Sequence, residues 1–68
     1  MKIIRQTDTK ATVLYKGKYY VVSQSPIRPE TLVFPSNEKG EITSWIDVGG
    51  GSSISLDEVL EDFESYLY

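Results

Sequence analysis

Two apolar runs around a single glycine constrain this chain more than any other feature. Ala11-Thr12-Val13-Leu14-Tyr15 and Tyr19-Tyr20-Val21-Val22-Ser23 are rich in β-branched and aromatic residues, with Lys16-Gly17-Lys18 between them. Such runs suit a pleated sheet surface, and Gly17 can take the positive φ of a tight hairpin turn. Val13, Tyr15 and Val21 alternate with Leu14, Tyr20 and Val22, so the hairpin carries apolar groups on both faces in any register. A sheet of this kind needs two covers. Either it curls into a small half-barrel that buries both faces, or its second face meets a partner.

The remaining segments supply one obvious cover. Ile3 and Ile4 suggest a first strand, Thr31-Leu32-Val33-Phe34 another, and Glu41-Ile42-Thr43-Ser44-Trp45-Ile46 a further one after a turn at Asn37-Glu38-Lys39-Gly40. Ser25-Pro26-Ile27-Arg28-Pro29 interrupts the pattern, because proline cannot donate to a ladder. It also fits the PxxP spacing, which is read here as a rigid turn rather than an SH3 ligand. Gly49-Gly50-Gly51-Ser52-Ser53 reads as a flexible connector. A glycine-rich entry to a helix can cradle phosphate, but this one lacks the Lys-Ser/Thr ending of a P-loop and leads into two carboxylates.

The spacing predicts an amphipathic helix over 55–67. Ser55 stands as N-cap and Glu58 completes a capping box, with Ile54 and Val59 as the hydrophobic staple. Leu56, Val59, Leu60, Phe63 and Leu67 recur at three and four residues and form one apolar stripe. The expected fold is therefore α+β. It is a single domain spanning residues 1–68, an antiparallel meander of four or five strands within 2–48 with one C-terminal helix across it.

Composition removes most chemistry. The 68 residues include no cysteine and no histidine. Disulfides, thiolate nucleophiles, histidine relays and the usual zinc ligand sets are excluded. No spacing marks any carboxylate pair as acid and base, and so small a domain has little room for an enclosing pocket. No enzyme, cofactor or metal site is expected. No apolar run is long enough for a membrane helix, and the polar start Met1-Lys2-Ile3-Ile4-Arg5 does not read as a secretory signal, so the expected location is the cytoplasm.

Charge is unevenly placed. Residues 1–28 sum to +5, residues 29–68 to −8, and the chain to −3. Two stretches of the sequence offer partner-binding groups. Asp57, Glu58, Glu61, Asp62 and Glu64 give the expected helix an acidic outer face without a lysine or arginine. Asp57–Glu61 and Glu58–Asp62 are like-charge pairs at i,i+4, which mildly destabilise a helix. Such a face suits docking on a basic partner, such as the nucleic-acid groove of a host enzyme; the plainer reading is a solvated face that keeps the protein soluble. Tyr15, Lys16, Lys18 and Tyr19 interleave rings with ammonium groups, as single-stranded nucleic acid or nucleotide binding requires; the plainer reading is a hairpin protected against edge pairing.

The middle of the chain also resembles a family. Tyr15, Gly17-Lys18-Tyr19-Tyr20-Val21-Val22-Ser23, Glu30-Thr31-Leu32-Val33-Phe34 and Gly40-Glu41-Ile42-Thr43-Ser44-Trp45 resemble small bacteriophage and mobile-element proteins with a GKYYVVS…ETMVF…GEVTDW-like pattern. The likeness covers roughly residues 12–46, with Ser44 where those proteins usually show an acid. It implies a phage setting, in which small acidic proteins bind and block host components, CRISPR effectors among them. The expectation is a non-catalytic inhibitor or modulator of a bacterial host protein. The alternative is a sponge for a small anionic nucleotide signal, acting as an oligomer. Apolar groups on both sheet faces, with Tyr66 and Tyr68 near the C-terminus, further suggest a homodimer.

Overall fold

The computed structural model describes all of residues 1–68. Five strands form one antiparallel sheet in the order β1-β2-β3-β4-β5: β1 (Lys2–Gln6), β2 (Lys10–Tyr15), β3 (Lys18–Gln24), β4 (Glu30–Ser36) and β5 (Gly49–Ser52). A short helix, α1 (Leu56–Glu61), and a 3-10 turn (Phe63–Tyr66) follow. The sheet does not close on itself; β1 and β5 are its two edges. The β2–β3 hairpin turns through Lys16 and Gly17, both at positive φ, and pairs Tyr15 with Lys18.

Register decides which residues face the helix. Ala11 lies opposite Val22, Val13 opposite Tyr20, and Val22 opposite Val33. Directly opposed residues share a face, so these side chains form one apolar layer. They pack with Leu56, Val59 and Phe63 into the buried core. Fully burying an aliphatic or aromatic side chain of this size contributes about 1.5–3 kcal/mol. Phe63 is gripped by two tyrosines, its ring centroid 5.3 Å from Tyr15 and 5.5 Å from Tyr20.

The helix start is fastened at three points. Ser55 Oγ accepts from the Glu58 amide at 3.2 Å, as the capping signal predicts. The returning half of the box does not form. Instead the Leu56 amide donates to Gln24 Oε1 at 2.8 Å, and Thr31 Oγ1 donates to the Ile54 carbonyl at 2.6 Å. The first satisfies an amide that the start of a helix leaves without a partner, and both tie the helix start to the β3–β4 end of the sheet.

Three expectations need correction. The helix does not run over 55–67: α1 ends at Glu61, Asp62 breaks it at φ −143 and ψ 57, and a 3-10 turn follows. This break lets Phe63 enter the core while Leu67 pairs with Gly49 in an isolated bridge. Gly49–Ser52 is not a flexible connector but strand β5, with Gly49 opposite Val33 and Gly51 opposite Thr31. A Cβ at Gly50, where φ is +104, would collide with the Thr31 carbonyl and lie 2.8 Å from Leu32 Cα. Only glycine allows so close an approach. Residues 41–46 in turn are not a strand; only Ile42 bridges to Ser36.

That segment covers the second face of the sheet. Thr12, Val21 and Phe34 point away from α1, yet all are buried. Residues 37–48 fold over them: Gly40 lies against Thr12, Trp45 stacks edge-on over Phe34 at 5.4 Å, and Val48 N donates to the Val33 carbonyl at 2.7 Å. Both faces of the sheet are thus covered within one chain, one by α1 and the other in part by an irregular loop.

Candidate functional site

The five helix carboxylates do not form one free face. Asp57, Glu58, Glu61 and Asp62 are exposed and form no ion pair. Glu64, on the 3-10 turn, is engaged: Lys16 Nζ lies 3.3 Å from its Oε1, and the Tyr15 hydroxyl donates to the same oxygen. The Lys16 ammonium also stands 5.3 Å from the Tyr15 ring centroid. Each group holds the others in their polar forms. Tyr15 is raised above its ordinary pKa, first by its bond to Glu64, Lys16 is raised by Tyr15 and then Glu64, and Glu64 is lowered by Tyr15 and then Lys16. Three predicted binding residues from opposite ends of the chain therefore meet, and they meet each other. The cluster latches the chain end to the first hairpin.

Lys18 and Tyr19 point elsewhere. They line an open groove of about 500 Å³ with Tyr20, Pro35, Leu67 and Tyr68. Its C-terminal wall is held by the Tyr68 amide donating to the Val48 carbonyl at 2.9 Å and the Tyr68 hydroxyl donating to Asp47 Oδ2 at 2.6 Å. The bond to Asp47 raises the Tyr68 pKa. The glycine-rich phosphate cradle considered from the sequence does not exist, since that segment is β5. Pro26–Pro29 forms the β3–β4 bend, where Ser25 Oγ accepts from the amides of Ile27 and Arg28 at 3.3 and 3.2 Å. No group of three or more carboxylates is gathered to hold a metal ion.

The residues that stand out in the structure are Trp45 and Ile46, which sequence reasoning placed in a strand. They are 75% and 78% exposed. Their position follows from the turn before them. Asn37 Oδ1 accepts from the Lys39 and Glu41 amides at 2.9 and 3.1 Å, its Nδ2 donates to Glu41 Oε1 at 2.9 Å, and Gly40 closes the turn at φ +84. The chain then crosses β4, where Thr43 N donates to the Pro35 carbonyl at 2.9 Å and Ile46 N to Ser44 Oγ at 3.3 Å. Trp45 is thereby fixed against Phe34 with most of its indole in solvent. One signal in the sequence could have exposed this. Trp45 and Ile46 are adjacent, so a strand would put one on each face, while the helix can cover only one face.

An exposed aromatic whose rotamer is fixed from below is the usual form of a binding anchor, because little freedom is lost when a partner covers it. Asp47, next in the chain, joins this knuckle to the Tyr68 wall of the groove. No helix is long and apolar enough to cross a membrane. Comparison with protein-family models, curated proteins and solved structures finds no significant match.

Proposed function

We propose that this chain is a small non-catalytic binding protein of the phage type, which inhibits or modulates a bacterial host protein by occupying its surface. The target class in view is a defence factor, a CRISPR effector or another nuclease. The observation that carries the reading is the Trp45–Ile46 knuckle: two large apolar side chains about three-quarters exposed, in a chain too small to spare apolar surface. The free carboxylates Asp57, Glu58, Glu61 and Asp62 add a field that steers the protein toward a basic target. The family likeness of residues 12–46 supplies the phage setting.

The test is affinity capture from a bacterial host lysate with three baits: the native chain, Trp45→Ala with Ile46→Ala, and Glu61→Lys with Asp62→Lys. The expected result is a partner retained by the native chain and lost with the first pair. The second pair should weaken capture mainly by slowing association. No partner with the native bait, or equal recovery with all three, overturns the reading.

A further inference from the structure

A second site lies on the loop-covered side of the sheet, where three cations meet without a carboxylate. Arg5, Lys10 and Lys39 line one depression of about 190 Å³ together with Thr7, Thr12 and Gly40. Three separate devices bring them there. The β1–β2 register shifts between Ile3 and Arg5, so that Arg5 rather than Ile4 lies opposite Thr12. Without that bulge Arg5 would oppose Ala11 and face the helix, since a one-residue slip exchanges the faces of a strand. Lys10 lies opposite Ser23, two residues from Thr12 and therefore on the same face. The Asn37 turn then folds Lys39 and Gly40 over β2, far away in sequence.

The surroundings favour an anion. The protein's single ion pair is Lys16–Glu64, so none of its ten acids neutralises these three cations. Asp8 and Glu38 are near in sequence, yet neither lines the depression. Arg5 Nη1 reaches only the Glu38 carbonyl, at a long 3.5 Å. Thr12 is 6% exposed and its hydroxyl makes no hydrogen bond within the protein. Thr12 lines the depression, with its Oγ1 beside Gly40 at the depression's rim. Like charges gathered at one place repel unless something negative sits among them.

We infer that Arg5, Lys10, Lys39 and the Thr12 hydroxyl form a binding site for a phosphate group. Cations arriving from three elements, with a hydroxyl donor below, match a tetrahedral oxyanion better than a planar carboxylate with two oxygens. The volume is below the roughly 300–1,000 Å³ of pockets that enclose a whole small molecule. The site therefore takes the phosphate alone and leaves the rest of any ligand outside. It is independent of the Trp45 knuckle and does not rest on the host-protein reading.

The experiment is an amide NMR titration with inorganic phosphate at constant ionic strength, with chloride as the balancing salt. Saturable shifts confined to Arg5, Thr12, Lys39 and Gly40 are expected. Arg5→Gln and Lys39→Gln should each weaken binding about tenfold, since each removes a charge-assisted hydrogen bond. Lys10→Gln serves as a second probe, and Lys2→Gln, a cation outside the depression, should leave the affinity unchanged. Shifts that never saturate, that chloride reproduces, or that persist at the same affinity in Arg5→Gln overturn the site. A parallel titration with a nucleoside monophosphate identifies the source. Tighter binding through the same amides assigns the phosphate to a nucleotide, and weaker binding assigns it to free phosphate.

Discussion

The two faces of the sheet are closed in different ways. On one, a capped helix lays Leu56, Val59 and Phe63 onto Ala11, Val13, Val22 and Val33, and tyrosine rings flank the contact. On the other, an irregular loop covers Thr12, Val21 and Phe34 with a turn and one indole. The helix side leaves Ile3, opposite Val13, 43% exposed beside the charged outer face of α1. The loop side keeps Trp45 and Ile46 in solvent and three unpaired cations around a depression. Regular packing holds the fold on one face; on the other, the irregular cover, whose backbone is fixed by its own hydrogen bonds, carries the groups that the proposed function uses for recognition.

Truncating one aromatic on each side should separate the two faces by the largest effect. Phe63→Ala should cost about 3–5 kcal/mol, because it empties the centre of the core and removes the partner of both Tyr15 and Tyr20. A small domain has little more than that to lose, so the variant should be largely unfolded at ambient temperature. Trp45→Ala should cost under about 1 kcal/mol, as most of the indole is already in water. Urea unfolding of both variants measures the difference. Equal losses would mean that the loop side is a second core rather than a recognition surface.

Next in size is Gly50→Ala. In a flexible connector this change would stabilise by about 0.4–1 kcal/mol by restricting the unfolded chain. In β5 it drives a Cβ into the Thr31 carbonyl at a positive φ, so a loss of about 1–3 kcal/mol is expected. The sign of the change in thermal midpoint decides between the two.

That glycine run marks where sequence and structure part. The hairpin, the third apolar run and the Ser55 cap are legible because each depends on local chemistry: β-branched alternation, a turn glycine, a hydroxyl three residues before a carboxylate. β5 is illegible because its residues serve by lacking side chains. Gly49 and Gly50 fit only against the Tyr66 and Thr31 carbonyls, contacts distant in sequence. Once β5 takes the β4 edge, residues 41–46 have no ladder to join, so Ile42, Trp45 and Ile46 form a cover despite strand-like composition. The acidic residues were visible as a run. That Glu64 belongs to Tyr15 and Lys16 was not, because the break at Asp62 that swings it over the first hairpin answers to the core, through Phe63. The Arg5–Lys10–Lys39 depression depends on a one-residue bulge, and composition carries no trace of it.

Two tyrosine–carboxylate contacts, Tyr15 with Glu64 and Tyr68 with Asp47, give the fold separate responses to pH. Glu64 has its pKa lowered below the usual 4.5 when folded, so its contribution is present above 4.5 and is lost as pH falls through the folded value. Tyr15 is raised above 10.0, so its contribution is present below 10.0 and is lost as pH rises through the folded value. Glu64→Gln should therefore flatten the acid limb of stability and return the Tyr15 phenol toward 10.0. Tyr68, held by Asp47, should keep its raised value in that variant and lose it in Asp47→Asn. Tyrosine ring resonances followed through alkaline pH report both. If either substitution moves both phenols, the two latches are coupled through the sheet.

The smallest expected effect separates stability from recognition on a single residue. Glu61 faces Asp57 one turn earlier, a like-charge pair on an exposed face at the negative end of α1. Glu61→Lys replaces repulsion with attraction there and also suits the helix dipole. The fold should gain about 0.3–0.5 kcal/mol, read as a slightly higher urea midpoint. If the acidic ridge steers association, the same variant should bind its target more slowly and with a flatter salt dependence, while its dissociation rate stays unchanged. Trp45→Ala should do the reverse, speeding dissociation with little effect on association. A stability gain joined to an association loss would identify Glu61 as kept for recognition at the expense of the helix. A stability gain with unchanged association would reduce the ridge to a solubilising surface and leave the loop side as the protein's one recognition face.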